Sequence, residues 1–255
     1  MRRTGYDLSD AEIGRRYSQI ARHIAMPRYF YSYVADLVVQ HCSEGRVLDV
    51  GCGNGYLLEH VARRRPALEL WGVESASALV MGTQSRGNRR WHVISGSALE
   101  LPFRSSSFQM ITLTEVLEHM KEPVQVLREI ARTLRQQGRL LLTVPNMSAY
   151  NPFWRVAERI PLGPLQRAFL PWEHPLKTFQ PIDTAYEFEE IQKIIREAGL
   201  TVEALWGREF FPYVTASIPM VRRLYARFAQ SLTDEALGRV LPARMGYRLI
   251  LQCRA

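Results

Sequence analysis

One segment constrains this chain more than any other: Arg46-Val47-Leu48-Asp49-Val50 running into Gly51-Cys52-Gly53-Asn54-Gly55. The short apolar run reads as a buried strand. It delivers an aspartate straight into three glycines spaced two apart, and a helical pattern from Tyr56 to Arg65 follows. The glycines permit a tight turn and close approach of a ligand to the backbone. The start of the helix offers free N–H groups to an anionic group. Glu74, nineteen positions beyond Gly55, ends a second apolar run that begins at Leu68. An acidic residue there can accept hydrogen bonds from ribose hydroxyls. A plain strand–helix turn would leave both Asp49 and Glu74 without a reason, so the segment is expected to be a nucleotide site.

The pattern continues downstream. A helix is expected from Ala76 to Thr83, then strands at Trp91–Ile94 and Phe108–Leu113. A helix from Pro123 to Arg135 is expected to end at Gly138, with a strand at Arg139–Val144 after it. Alternation of this kind predicts an α/β, doubly wound, mostly parallel Rossmann-like sheet of seven strands. Upstream, Ile13, Tyr17, Ile20 and Ile24 repeat at helical spacing within Leu8–Cys42, and Pro27 splits that stretch into two helices. After Pro145 the alternation stops. Residues 146–179 are rich in proline and aromatics and read as a lid. Ala185–Ala198 reads as a helix closed by Gly199, Leu200–Trp206 as a strand, and Tyr247–Cys253 as a last strand, the final strands forming an antiparallel edge. The expected organisation is one domain over 1–255: an N-terminal helical cap at 1–42, a cofactor-binding core at 43–146, a lid insertion at 147–184, and the remainder of the sheet at 185–255 with a second insertion at 207–240.

At 255 residues the chain is long enough for such a domain. No apolar run follows the N-terminal arginines, and the longest uncharged stretch, Leu140–Trp154, is broken by Pro145 and Pro152. Neither a secretory leader nor a membrane span is expected. Cys42, Cys52 and Cys253 lack metal or redox spacing, so a reduced, cytoplasmic compartment is the simplest expectation. The net charge is +8, and only three of the 33 basic residues are lysine. Arginine suits phosphate and carboxylate recognition. The excess fits RNA, an anionic membrane surface, an acidic substrate, or simply a solvated face, since the arginines are dispersed. Phe210-Phe211-Pro212-Tyr213-Val214 precedes a basic helix expected from Met220 to Ser231, with Arg222, Arg223 and Arg227 beside Val221, Leu224, Tyr225 and Phe228. That stretch can rest on lipid, as a peripheral contact at the inner membrane surface, or pack on the domain with its arginines in water.

A dinucleotide oxidoreductase normally has its third glycine three positions after the second. The spacing here instead strongly resembles motif I of class I S-adenosylmethionine-dependent methyltransferases. The resemblance extends through Leu101-Pro102-Phe103, Ser107-Phe108, Glu115-Val116-Leu117-Glu118-His119, Leu127-Arg128-Glu129-Ile130 and Gly138-Arg139-Leu140, covering about Val47 to Asn146. It implies S-adenosylmethionine as cofactor. Asp49, Gly51 and Gly53 would hold its methionine part, Glu74 its ribose, and Ala98 and Leu99 its adenine, with Cys52, Tyr56, Ser75 and Thr114 completing the contacts. The family often has an acidic residue where this chain has Ser97, which can still hydrogen-bond.

The Glu115/Glu118/His119 cluster, and His174-Pro175-Leu176-Lys177-Thr178-Phe179-Gln180-Pro181 ahead of the later helix, resemble the ubiquinone-biosynthesis O-methyltransferases. The 3′-terminal ribose 2′-O-methyltransferases of small RNAs share the cluster and a later histidine. In both groups these residues are associated with a divalent metal. Glu115 and Glu118 lie three apart, Glu115 and His119 four apart, so one helical turn would project all three from one face. That mixed oxygen and nitrogen set, completed by His174, suits Mg2+, Mn2+ or Zn2+. The alternative is that the cluster only shapes the cofactor pocket and His174 is a loop histidine. Tyr150, Phe153, Trp154, Phe169 and Trp172 serve equally as substrate cap, membrane anchor or core. The expectation is O-methylation of a hydroxyl on a small or lipid-like molecule, with Glu115, His119 and His174 as catalytic candidates. Alternatives are a ribose 2′-O RNA methyltransferase, disfavoured because no RNA-binding module is appended, and a cofactor-binding protein without transferase activity. Nothing in the pattern fixes an oligomeric state.

Overall fold

The computed structural model describes residues 28–87, 90–146, 184, 186–210 and 236–255. The first of the two expected N-terminal helices, the lid with its aromatics and His174, and the basic helix of the second insertion lie outside these residues.

The chain opens with α1 (Arg28–His41), which turns Phe30, Val34, Leu37 and Val38 inward as one apolar stripe. β1 (Arg46–Val50) leads through the glycine loop into α2 (Tyr56–Arg64), and β2 (Glu69–Glu74) into α3 (Ser77–Gly87). β3 (His92–Ser95) and β4 (Phe108–Thr114) follow, then a 3-10 turn (Leu117–His119) and α4 (Pro123–Thr133). Pro123 stands in the first turn of α4, where a missing N–H costs nothing. β5 (Leu134–Pro145), α5 (Phe188–Glu197), β6 (Thr201–Arg208), a 3-10 turn (Ala243–Met245) and β7 (Arg248–Arg254) complete the order.

The sheet has seven strands in the order β3-β2-β1-β4-β5-β7-β6. The first five pair in parallel, and β7 runs antiparallel to both β5 and β6. Alternation along the strands divides the core. Leu48, Ile111, Leu113, Leu140, Leu142, Leu249 and Leu251 pack against α4 and α5 through Leu127, Ile130, Ile191 and Ile195. Val47, Met110, Leu141 and Ile250 pack on the other face against Phe30, Val38, Leu57 and Val61 of α1 and α2. With a strand period of two, Asp49, Thr112, Thr114, Thr143 and Arg248 therefore share the α1 face at the end of the sheet where the parallel strands finish.

Several boundaries shift by a few residues, and two of the shifts have a clear physical cause. α4 stops at Thr133 and β5 starts at once, so Gly138 is not a helix terminator. Phe108 is opposite Leu134 but Met110 is opposite Arg139, so residues 135–138 form a bulge in the strand. α5 begins at Phe188 rather than Ala185, because Glu187 and Glu190 form a reciprocal capping box there. Gly199, at φ +80°, closes it, its N–H donating to the Arg196 carbonyl.

Candidate functional site

The loop between β1 and α2 is held by its own backbone. The N–H groups of Gly51 and Cys52 donate to the Val73 carbonyl at 2.8 and 3.1 Å, and that of Gly55 to the Cys52 carbonyl at 2.8 Å. Gly53 is clamped from both sides: its N–H donates to Glu74 Oε2 at 3.0 Å and its carbonyl accepts from Thr83 Oγ1 at 2.6 Å. Gly51 has φ +73°, and a Cβ there would stand 2.5 Å from Val116 Cγ2. Gly53 also has positive φ, but a Cβ there would meet nothing within 4 Å, so the space over it is open.

Asp49 lies at the mouth of this loop, 3% exposed. Thr112 Oγ1 donates to its Oδ1 at 2.7 Å. Burial, opposed by that hydrogen bond and reinforced by the nearby Glu74 carboxylate, raises its pKa to about 7. Thr114, two residues beyond Thr112, has a buried hydroxyl with no hydrogen-bond partner among the described residues. Glu74 braces the turn into α3 as well: its Oε1 accepts from Ala76 N at 2.9 Å and from Ser75 Oγ at 3.4 Å. Ser97 caps its own turn by accepting from Leu99 N at 3.1 Å, and Ala98 and Leu99 are half-buried there.

The expected metal set lies only partly within the described residues. Among the described residues no three His, Cys, Asp or Glu side chains converge to hold a metal ion. Glu115 precedes the 3-10 turn with φ +53°, so it does not share a helical face with Glu118 and His119. Thr143 Oγ1 donates to Glu115 Oε1 at 2.9 Å, and Arg248 Nε to Oε2 at 3.0 Å. A guanidinium held against this carboxylate opposes a second cation. Glu118 is buried, with its Oε1 3.7 Å from His119 Nε2. His174, the expected fourth ligand, falls outside the described residues.

Sequence reasoning missed three residues here. Arg248, 2% exposed, reaches from β7 to both Glu115 and Glu209. Glu209 is also at positive φ, +59°. Tyr31 of α1 packs its ring 5.9 Å from that of Tyr56 at the start of α2. Burial first, then Asp49 and Glu115, push its phenol far above the usual range, partly offset by Arg248. The only signal for Tyr31 was the aromatic run Phe30-Tyr31-Tyr33 in a segment read as a cap. Arg248 gave none, since its partners stand 133 and 39 positions away.

The methyltransferase domain family matches residues 4–205. A protein of Mycolicibacterium smegmatis named a probable S-adenosylmethionine-dependent methyltransferase is 28% identical over 214 residues, 80% of this chain and 78% of that one. A ubiquinone biosynthesis O-methyltransferase of Xanthomonas oryzae is 35% identical over 106 residues, but these are only 40% of this chain and 43% of that protein. Among solved structures, a methyltransferase in complex with the Haloferax volcanii Trm112 methyltransferase activator superposes with TM-score 0.65 and 16% identity, over 96% of this chain and 97% of that one. The [4+2]-cyclase SpnF matches equally well, with TM-score 0.65 and 18% identity over 96% of both chains. At such identities the structures speak for the fold alone. The fold, the glycine loop and the family match together place this chain in the methyltransferase domain family, alongside its S-adenosylmethionine-dependent members.

Proposed function

We propose that the chain transfers the methyl group of S-adenosylmethionine to a hydroxyl of a small or lipid-like molecule. The observation that carries this reading is the buried Asp49 carboxylate beside open space over Gly53. A carboxylate there suits the ammonium group of a methionine moiety. The loop N–H groups of Gly51, Cys52, Gly53 and Gly55 are already donated, which disfavours a pyrophosphate and hence a dinucleotide. Glu74 retains lone pairs for ribose hydroxyls, and the Thr114 hydroxyl is a donor in want of an acceptor. Cys52, Tyr56 and Ser75 flank these groups, and the Ser97-Ala98-Leu99 turn offers a half-buried wall for adenine.

The cofactor brings the activated methyl group, so this chain's share is orientation and removal of the acceptor proton. His119 is assigned as the base, because the neighbouring Glu118 carboxylate favours the imidazolium that results. Glu115 is already engaged by the Arg248 guanidinium and is not assigned a proton-transfer role. The ubiquinone biosynthesis relatives support oxygen as the methylated atom, over less than half of their length. Glu115, committed to Thr143 and Arg248, does not suit a metal, and no step passes through one.

Calorimetry with S-adenosylmethionine, followed by turnover on a panel of phenolic, aliphatic and lipid-like hydroxyls with and without chelator, tests the reading. One cofactor should bind per chain. Turnover should survive chelation and fall at least a hundredfold in His119→Ala, the usual scale of general-base catalysis, with cofactor affinity unchanged. Binding without turnover on any hydroxyl would leave a cofactor-binding protein. Turnover lost on chelation and restored by metal would reinstate the metal.

A further inference from the structure

The end of the sheet opposite the glycine loop carries a second polar cluster. Gln109, Gln136, Gln137, Arg139 and Arg254 line an open surface cavity of about 330 Å3 there, with Gln136, Gln137 and Arg254 exposed. That volume lies at the small end of ordinary ligand sites, yet not one apolar side chain lines it. Arg139 of β5 and Arg254 of β7 are direct cross-strand neighbours. Like charges opposed in an antiparallel pair are destabilising. The carboxylate between them is Glu203, and its oxygens lie 3.5 Å from Arg139 Nε and 3.6 Å from Arg254 Nη1. These are loose ion pairs, and Glu203 instead accepts its short hydrogen bond from Gln252 Nε2 at 3.0 Å. Arg139 Nε is buried with no hydrogen-bond partner among the described residues. One carboxylate against two guanidiniums leaves one positive charge over. The bulge at 135–138 is what lifts Gln136 and Gln137 to the rim, and bulges commonly re-aim side chains in this way.

We propose that this cavity is a binding site for a small phosphoryl-bearing anion, separate from the methyl donor. Two guanidinium forks held side by side by strand register match the oxygens of a phosphoryl group, which the amides of the three glutamines can also reach as neutral donors. Bound anion relieves the Arg139–Arg254 repulsion that the empty fold carries. Part of the arginine excess thereby acquires a chemical purpose beyond a solvated surface.

The test is calorimetric titration of inorganic phosphate and of pyrophosphate into the full chain at low ionic strength, with chloride at matched ionic strength as control. One saturable site is expected, with Kd for pyrophosphate below about 1 mM. Arg139→Gln and Arg254→Gln should each weaken it about tenfold, the usual scale of one charge-assisted hydrogen bond. Both variants should fold at least as well as the parent, because each removes a repulsion. Glu203→Gln should tighten binding, since the offsetting carboxylate is gone. Affinity for S-adenosylmethionine should be unchanged throughout. No saturable binding, binding that survives both arginine substitutions, or binding in Glu203→Gln that is unchanged or weaker would each overturn the proposal.

Discussion

Asp49 is a carboxylate placed where burial works against its charge. Its pKa stands at about 7 in the fold against 3.8 for the free side chain, chiefly because of desolvation. The unfolded chain ionises this group near pH 4, while the folded chain keeps the proton until about 7. Between those values the folded state binds more protons, so stability falls as pH rises through that window and is flat above it. The shift corresponds to roughly 4 kcal/mol. Removing the charge with Asp49→Asn should therefore raise the melting temperature of the ligand-free protein at pH 8, with little effect at pH 4. A cationic ligand group reverses the balance by favouring the ionised form. S-adenosylmethionine affinity should accordingly rise about tenfold from pH 6 to pH 8 and level off above that. Calorimetry in two buffers of different ionisation enthalpy should count close to one proton released per cofactor at pH 6. No proton release, or an unchanged pH profile in Asp49→Asn, would remove Asp49 from the cofactor contacts. Glu74→Ala should weaken the cofactor by about 1–3 kcal/mol, as expected for lost charge-assisted hydrogen bonds.

Between elements, the main polar joint is Arg248. It ties the residue that follows β4 to the residue that follows β6, and Thr143 of β5 joins through Glu115. Both carboxylates sit at positive φ, a backbone cost that persists only where surroundings fix it. The arginine also lies 5.2 Å from the Phe30 ring of α1, which brings that helix into the same joint. Arg248→Met takes the guanidinium away from both carboxylates, and should cost about 3–5 kcal/mol in urea unfolding. Arg248→Lys, which keeps the charge but loses the fork, should cost less. A change below about 1 kcal/mol in Arg248→Met would show that the joint is not structural. These elements also show where reading the sequence succeeds and stops. The loop residues Asp49 to Gly55 and Glu74 were legible because local spacing alone brings them to one strand edge. The boundary at Gly138 misled because the polar Arg135-Gln136-Gln137 looked like a helix end, whereas the chain bulges within a strand. Glu115, Glu118 and His119 have helical spacing, but the positive φ of Glu115 breaks their common face. Arg248 was invisible, because a buried cation declares itself only through partners far away in the chain.

On the scale of the whole molecule, the charged groups of the candidate methyl-transfer site gather at one end of the sheet. The apolar layers on both faces are continuous, while Asp49, Glu209 and Arg248 are buried, and Glu115 half-buried, at the ends of strands. A ligand that engages this end should therefore stabilise the entire domain, because it binds only the folded chain. At one hundred times its Kd, S-adenosylmethionine should add about 2.7 kcal/mol. For a chain of this length each kcal/mol raises the melting temperature by about 2–4 °C, so the expected rise is about 5–11 °C. At a fixed cofactor concentration the rise should be larger at pH 8 than at pH 6, since Asp49 must ionise to bind. It should shrink sharply in Asp49→Asn even though that variant starts from a higher melting temperature. Chelator should leave the rise untouched, as expected where the Arg248 guanidinium engages Glu115. Thermal melts of the parent and Asp49→Asn at both pH values, with and without chelator, decide all of these together. A rise that is equal at pH 6 and pH 8 would separate cofactor binding from the Asp49 charge, and a rise abolished by chelator would show that a metal completes the site.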